Sequence, residues 1–246
     1  MKAKWTILLI ALALALTGCG GGGSSSDDGG STDIGGLAGS WGGTIWEGVS
    51  NFGTITLTME SSGSFSGSNT VGGEFTGTAV LEGGNLYSYL LDSGRAGGFI
   101  VNAAFTHMAW VDETLTGGIM QKNAAGPPSS TALADMGGSW SGMALKLSAA
   151  FEVLGTADVT LTVNGGDGSY TGSGPEGAFA GTLALVSGSY GAFDGTQTDT
   201  MAIMAAAAKY VYVTMSHDHQ AIAFVVCDSA EPASVADCGY GGLSRQ

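Results

Sequence analysis

Leu37–Gly43 reads LAGSWGG, and Met136–Gly142 reads MGGSWSG. A tryptophan set twice among the same small residues suggests an internal repeat, and the flanking sequence supports it. Ile55-Thr56-Leu57-Thr58 returns as Val159-Thr160-Leu161-Thr162, and Gly63-Ser64-Phe65-Ser66-Gly67 returns as Gly168-Ser169-Tyr170-Thr171-Gly172. Phe75-Thr76-Gly77-Thr78 returns as Phe179-Ala180-Gly181-Thr182. The offset drifts only from 99 to 105, so four blocks align in order. At a larger offset, His107-Met108-Ala109-Trp110-Val111 answers His219-Gln220-Ala221-Ile222-Ala223. The chain therefore divides into two copies, 37–123 and 136–228. A linker over 124–135 carries Pro127-Pro128, and 229–246 is left as a C-terminal tail.

Within each copy the hydrophobic period is two. Thr54–Met59, Asp158–Val163 and Tyr210–Met215 alternate polar with apolar, the pattern of strands with one face in a core and one in solvent. Turn chemistry interrupts these runs at Ser61-Ser62-Gly63, Gly72-Gly73, Glu82–Asn85 and Asn164–Gly168, where glycine and asparagine reach the positive φ that tight hairpins need. Met201–Ala208 is alanine-rich and ambiguous, and its run into Tyr210–Met215 argues for strand. Seven or eight short antiparallel strands per copy predict an all-β chain of two tandem meander barrels, closed so that no edge is left open. One larger shared sheet is the alternative.

The G-x-W of Gly39–Trp41 and Gly138–Trp140 resembles the entry motif of lipocalins. Together with the later G-x-[FY]-x-G it is similar to avidin-like barrels. A glycine-rich tether ahead of such strands also resembles the barrel domains of transferrin-binding and factor-H-binding surface lipoproteins. The resemblance implies small barrels in which Trp41 and Trp140 plug one end. It implies no ligand.

Ahead of the repeats, Lys2 and Lys4 precede the apolar run Ile7–Leu16, which is too short for a membrane helix of about 20 residues. Leu16-Thr17-Gly18-Cys19 then resembles the lipobox of bacterial lipoproteins. That resemblance implies a signal peptide over 1–18, a lipidated Cys19, and, with Gly20 following, transfer to the outer membrane. An ordinary secretory signal with an incidental cysteine and an uncleaved anchor are the alternatives. After Cys19, residues 20–36 are glycine, serine, threonine and aspartate apart from Ile34, so residues 19–36 form a disordered tether.

The signal holds two of the seven basic residues and none of the 21 acidic ones, which leaves the mature chain five against 21, a formal charge of −16. Such a chain lacks the basic footprint that nucleic acid or anionic headgroups require. With Cys19 lipidated in an oxidising compartment, Cys227 and Cys238 remain to form a disulfide. A metal site or a reactive thiol there is the alternative.

Catalytic chemistry finds little support. Ser216-His217-Asp218-His219 is the main polar cluster. On a strand, His217 and His219 would share one side and make weak metal candidates. A turn role is the other reading, because His107 falls in the corresponding turn of the first copy. No nucleophile elbow, phosphate loop or calcium loop is present, so no catalytic residue, metal or cofactor is assigned. Trp41, Trp110, Phe75, Trp140 and Phe179 fall within strand patterns, either filling each core or lining a small apolar cup. The expectation is a non-enzymatic lipoprotein held to the membrane by its N-terminal lipid, binding an envelope partner or a small apolar ligand. A structural or assembly lipoprotein without a ligand is the alternative, and an enzyme of unknown class a lesser one. Cys19→Ala is expected to move the protein from the membrane to the soluble fraction, and retention in the membrane contradicts the lipid anchor.

Overall fold

The computed structural model describes residues 34–47, 51–148, 152–175, 177–186, 191–199, 209–229, 232 and 234–246. The expected signal peptide 1–18, the expected lipidation site Cys19, the expected tether as far as residue 33 and the run Met201–Ala208 lie outside the described residues. The chain forms two closed eight-stranded antiparallel barrels in tandem. Barrel 1 runs through β1 (Gly39–Glu47), β2 (Asn51–Met59), β3 (Ser64–Asn69), β4 (Gly73–Gly83), β5 (Leu86–Leu91), β6 (Ala96–Val101), β7 (His107–Asp112) and β8 (Thr116–Lys122). Barrel 2 runs through β9 (Gly138–Leu147), β10 (Val153–Val163), β11 (Ser169–Gly174), β12 (Gly177–Leu185), β13 (Ala192–Asp199), β14 (Lys209–Met215), β15 (Ala221–Cys227) and β16 (Cys238–Arg245). Between them stands one helical turn, α1 (Leu133–Met136). Each strand pairs with its sequence neighbours, and β1 with β8 and β9 with β16 close the rings.

The segment after 228 departs from its expected role as a tail. Cys238–Arg245 is the eighth strand of barrel 2, bonded to β15 on one side and β9 on the other. Its signal is weak in sequence because four of the six residues from Gly239 to Ser244 are glycine or serine, so little alternation survives. The Cys227–Cys238 disulfide forms, and it joins the directly opposed residues that open the β15–β16 hairpin.

The same device closes one end of each barrel. Before β1 and β9 the chain makes a helical turn, Ile34–Leu37 and Leu133–Met136, then enters the strand through Gly39 (φ +127°) and Gly138 (φ +125°). That backbone region suits glycine because no Cβ obstructs it. The bend tucks Trp41 and Trp140 under the turn, where each indole N–H donates to a carbonyl four residues back, Leu37 O at 2.8 Å and Met136 O at 2.9 Å. Both rings are 1% exposed. The last strand supplies a cation against each ring. Lys122 lies 5.7 Å from the Trp41 ring centre and donates to Gly36 O, while Arg245 lies 4.4 Å from that of Trp140 and donates to Gly137 O and Asp135 O.

The barrels pack side by side through β1, β7 and β8 of barrel 1 and β14, β15 and β16 of barrel 2. Trp46, Ala109, Val111 and Ile119 meet Tyr212, Ala221, Ala223, Val225 and Tyr240 in one apolar cluster. Ala109 approaches Gly242 so closely that a Cβ there would stand 2.8 Å from its methyl carbon. These strands bury both faces, one in a lumen and one against the other barrel.

Because Trp140 is fully buried and locked by Arg245, Trp140→Ala is expected to cost about 3–5 kcal/mol in urea unfolding. Arg245→Met, which keeps the stem over the ring and removes the charge, is expected to cost about 1–2 kcal/mol. A near-neutral Trp140→Ala contradicts the plug.

Candidate functional site

Alternation along each strand sends one set of side chains into the lumen. In barrel 1 these include Leu57 and Met59 of β2, Phe65 of β3, Phe75 of β4, Tyr89 of β5, Phe99 of β6, and Met108 and Trp110 of β7. In barrel 2 they include Val159 and Leu161, Tyr170, Leu183, Val211 and Val213, with Phe179 and Phe224 packed against them. Neither lumen is filled. Barrel 1 encloses a cavity of about 340 Å³ and barrel 2 one of about 320 Å³. Both fall at the lower edge of the roughly 300–1,000 Å³ usual for small-molecule sites. Each cavity reaches from the interior to the hairpin ends opposite the tryptophan plug, so each barrel is a cup. Trp110 and Phe75 line the first cup and Phe179 the second, whereas Trp41 and Trp140 close the plugged ends beyond the cavities and line neither.

The two mouths share one side of the molecule. Asn102, His107, Gln121 and Asp218 belong to the plugged ends and meet one another across the barrels. Trp46 and Val111, at the open end of barrel 1, pack in one cluster with Val225, Cys227 and Tyr240, at the open end of barrel 2.

Each mouth carries a cation at the start of its sixth strand. Asp112 continues the lumen face of Met108 and Trp110 and is 2% exposed. Arg95 Nη1 donates to Asp112 Oδ2 at 3.1 Å and to Thr114 Oγ1 at 3.0 Å. Asp112 Oδ1 accepts from Thr114 N–H (2.8 Å), Thr114 O–H (2.7 Å) and Thr116 N–H (3.2 Å). Burial raises the Asp112 pKa above the usual carboxylate range, even though Thr114, Arg95 and Thr116 all favour the ionised form. Burial, and next to it the Asp112 charge, push the Tyr89 phenol well above its ordinary value. In barrel 2, Lys209 occupies the place of Arg95, with its ammonium 4.0 Å from Asp228. The sequence reading missed the Arg95–Asp112 pair. Its signal is an acid on the lumen parity of His107–Asp112, directly after two large apolar residues.

The histidines separate rather than converge. Residues 216–220 form the turn between β14 and β15, so His217 and His219 do not share a strand face. His217 Nδ1–H donates to Pro127 O at 3.0 Å, and His219 Nδ1 lies 3.5 Å from Asp135 Oδ1. The repeat register at this turn also differs from the expected one. Asn102 Oδ1 accepts from the N–H groups of Thr106 and His107, just as Ser216 Oγ accepts from those of Gln220 and Ala221. His107 thus corresponds to Ala221, and His219 to Phe105, both in the left-handed region at φ +60° and +54°. Among the described residues no group of three His, Cys, Asp or Glu side chains gathers as a metal site.

His107 instead fastens the barrels. Its Nε2–H donates to Asp218, 3.0 and 3.1 Å from the two carboxylate oxygens, while Gln121 Oε1 accepts from Asp218 N–H at 2.9 Å. Partial burial opposes the Asp218 charge, but hydrogen bonds from Ser216 O–H, Gln220 N–H and His107 outweigh it and hold the carboxyl below its ordinary value. A depressed carboxylate pKa contributes stability that is present above the unfolded value near 3.8 and is lost as pH falls through the folded one.

No protein-family model matches the sequence, and no curated protein matches it. Among solved structures, the chain is similar to a protein of unknown function from the DUF3598 family of Nostoc punctiforme. The identity is 12% and the TM-score 0.37, over 87% of this chain and 99% of that one. A likeness that weak carries no functional argument.

Asp218→Asn is expected to lower stability by about 1 kcal/mol at pH 6, as for a part-exposed, hydrogen-bonded charge. The difference from wild type should shrink as pH falls below about 4. A gap that persists undiminished at pH 3, read by urea unfolding, contradicts the assigned role of the carboxylate.

Proposed function

We propose that this chain is a non-enzymatic, lipid-anchored envelope protein whose two barrels bind small ligands with an apolar body. The observation that carries this reading is the pair of cups. Each has an apolar wall and a charged rim and is closed behind by a tryptophan plug, and the two cavities have nearly the same volume. A protein selected only to pack in the envelope gains stability by filling its lumen, because unfilled apolar volume forfeits dispersion contacts. The hollow lumens therefore favour binding over a purely structural role. The lipobox-like Leu16–Cys19 supports the anchor and an outer-membrane address, and the chain's acidity disfavours nucleic acid.

The plugged ends also fit a tethered arrangement. Residues 34–37, where the tether joins the fold, lie at the floor of barrel 1. Both mouths therefore face away from the point of attachment.

Thermal unfolding of the mature chain against a panel of apolar envelope compounds tests the proposal. A ligand at a hundred times its dissociation constant is expected to stabilise the fold by about 2.7 kcal/mol. Absence of any shift across fatty acids, alcohols, quinones and aromatic compounds contradicts ligand binding in the cups.

A further inference from the structure

The two cups share an architecture but not a chemistry. The wall of the second is mainly aliphatic, with Val159, Leu161, Leu183, Val211 and Val213, and among its described residues Tyr170 and Phe179 form an edge-to-face pair with Phe224 also in the wall. The wall of the first is a continuous aromatic belt. Phe65 lies 6.3 Å from Phe75 and 6.1 Å from Tyr89, which lies 6.3 Å from Phe99 and 6.5 Å from Trp110. Three of these pairs are steeply inclined, at 63° for Phe65–Phe75, 82° for Phe65–Tyr89 and 64° for Tyr89–Trp110, while Tyr89 and Phe99 stack at 27°. All five rings line the cavity. Gly97 makes the belt fit, since a Cβ there would run into the Tyr89 ring.

The rim of this cup is acidic. Glu74, Asp92 and Asp112 line it against a single cation, Arg95, whose charge is already taken up by Asp112. Glu74 and Asp92 are exposed at the mouth, and Asp92 holds a hydrogen bond from Thr76 Oγ1 at 2.5 Å. An anionic head entering here would meet two uncompensated carboxylates. A cationic head would find those carboxylates at the entrance and an aromatic wall behind them. Aromatic enclosure of this kind suits a poorly hydrated organic cation.

We infer that the first cup takes a hydrophobic organic cation, such as a quaternary ammonium with an apolar body, while the second takes a neutral aliphatic group. The assignment of class rests on the proposal that the cups bind ligands, and the test separates the two claims. The probes are benzyltrimethylammonium, its neutral isostere neopentylbenzene, and benzoate, each titrated calorimetrically into the full mature chain at low salt. The cation is expected to bind about tenfold or more tighter than the neutral isostere, and benzoate weakest.

The double variant Glu74→Gln with Asp92→Asn changes only exposed rim groups and leaves the core intact. It should bring the affinity for the cation down towards that of the isostere and leave the isostere's affinity unchanged. Trp110→Leu should weaken the cation more than the isostere. Equal binding of cation and isostere, or cation binding that ignores the rim variant, overturns the charge assignment and leaves the cups as apolar sites. Binding of none of the three by the first cup overturns both claims for it.

Discussion

Closing a meander into a barrel forces its first and last strands together, and the fold depends on how that seam is held. In both barrels an indole from the first strand is clamped between a helical turn and a cation from the last strand. One ring thereby satisfies its N–H on a backbone carbonyl, covers the floor of the lumen and ties both ends of the barrel into one unit. The glycine two residues ahead of each tryptophan is required by its positive φ. The cation differs between copies, lysine in one and arginine in the other. Arginine's planar guanidinium reaches three carbonyls, those of Asp135, Gly137 and His219, while its face lies over the ring.

A floor at one end leaves the other end free to vary. The copies differ at a hairpin of the mouth. Barrel 2 spends ten residues between Cys227 and Cys238 where barrel 1 turns within three between Asp112 and Thr116. The disulfide fastens that longer connection at its base. Meanwhile the outer faces of β7, β14 and β15 carry alanines, valines and a tyrosine that would be costly in water, and they are buried against the other barrel. This interface fixes the two cups side by side with their mouths on one side, and His107–Asp218 pins its plugged end.

Much of this was legible in the residues. The recurrence of four sequence blocks reports the duplication, and alternation with glycine turns reports the strands. Alternation alone misleads where the second face is also buried. Tyr210–Met215 reads as half solvated, yet Tyr212 and Thr214 are buried on the side away from the lumen. The last strand escaped notice because glycine and serine carry no period. Lys122 and Arg245 are isolated charges in sequence, and only strand register brings them over the tryptophans. The Arg95–Asp112 pair is likewise a product of the β6–β7 hairpin. The histidine motif invited a metal reading that the turn geometry does not support.

The central claim is that each barrel is a plugged but hollow cup with a mainly apolar interior. Xenon enters such cavities without needing any specific polar contact, so it reports the empty volume itself and not the choice of ligand. Diffraction from xenon-pressurised crystals measures this most directly. The account predicts one xenon site in each lumen, between the tryptophan floor and the mouth. Xenon found in neither lumen would show the barrels to be filled and would contradict it.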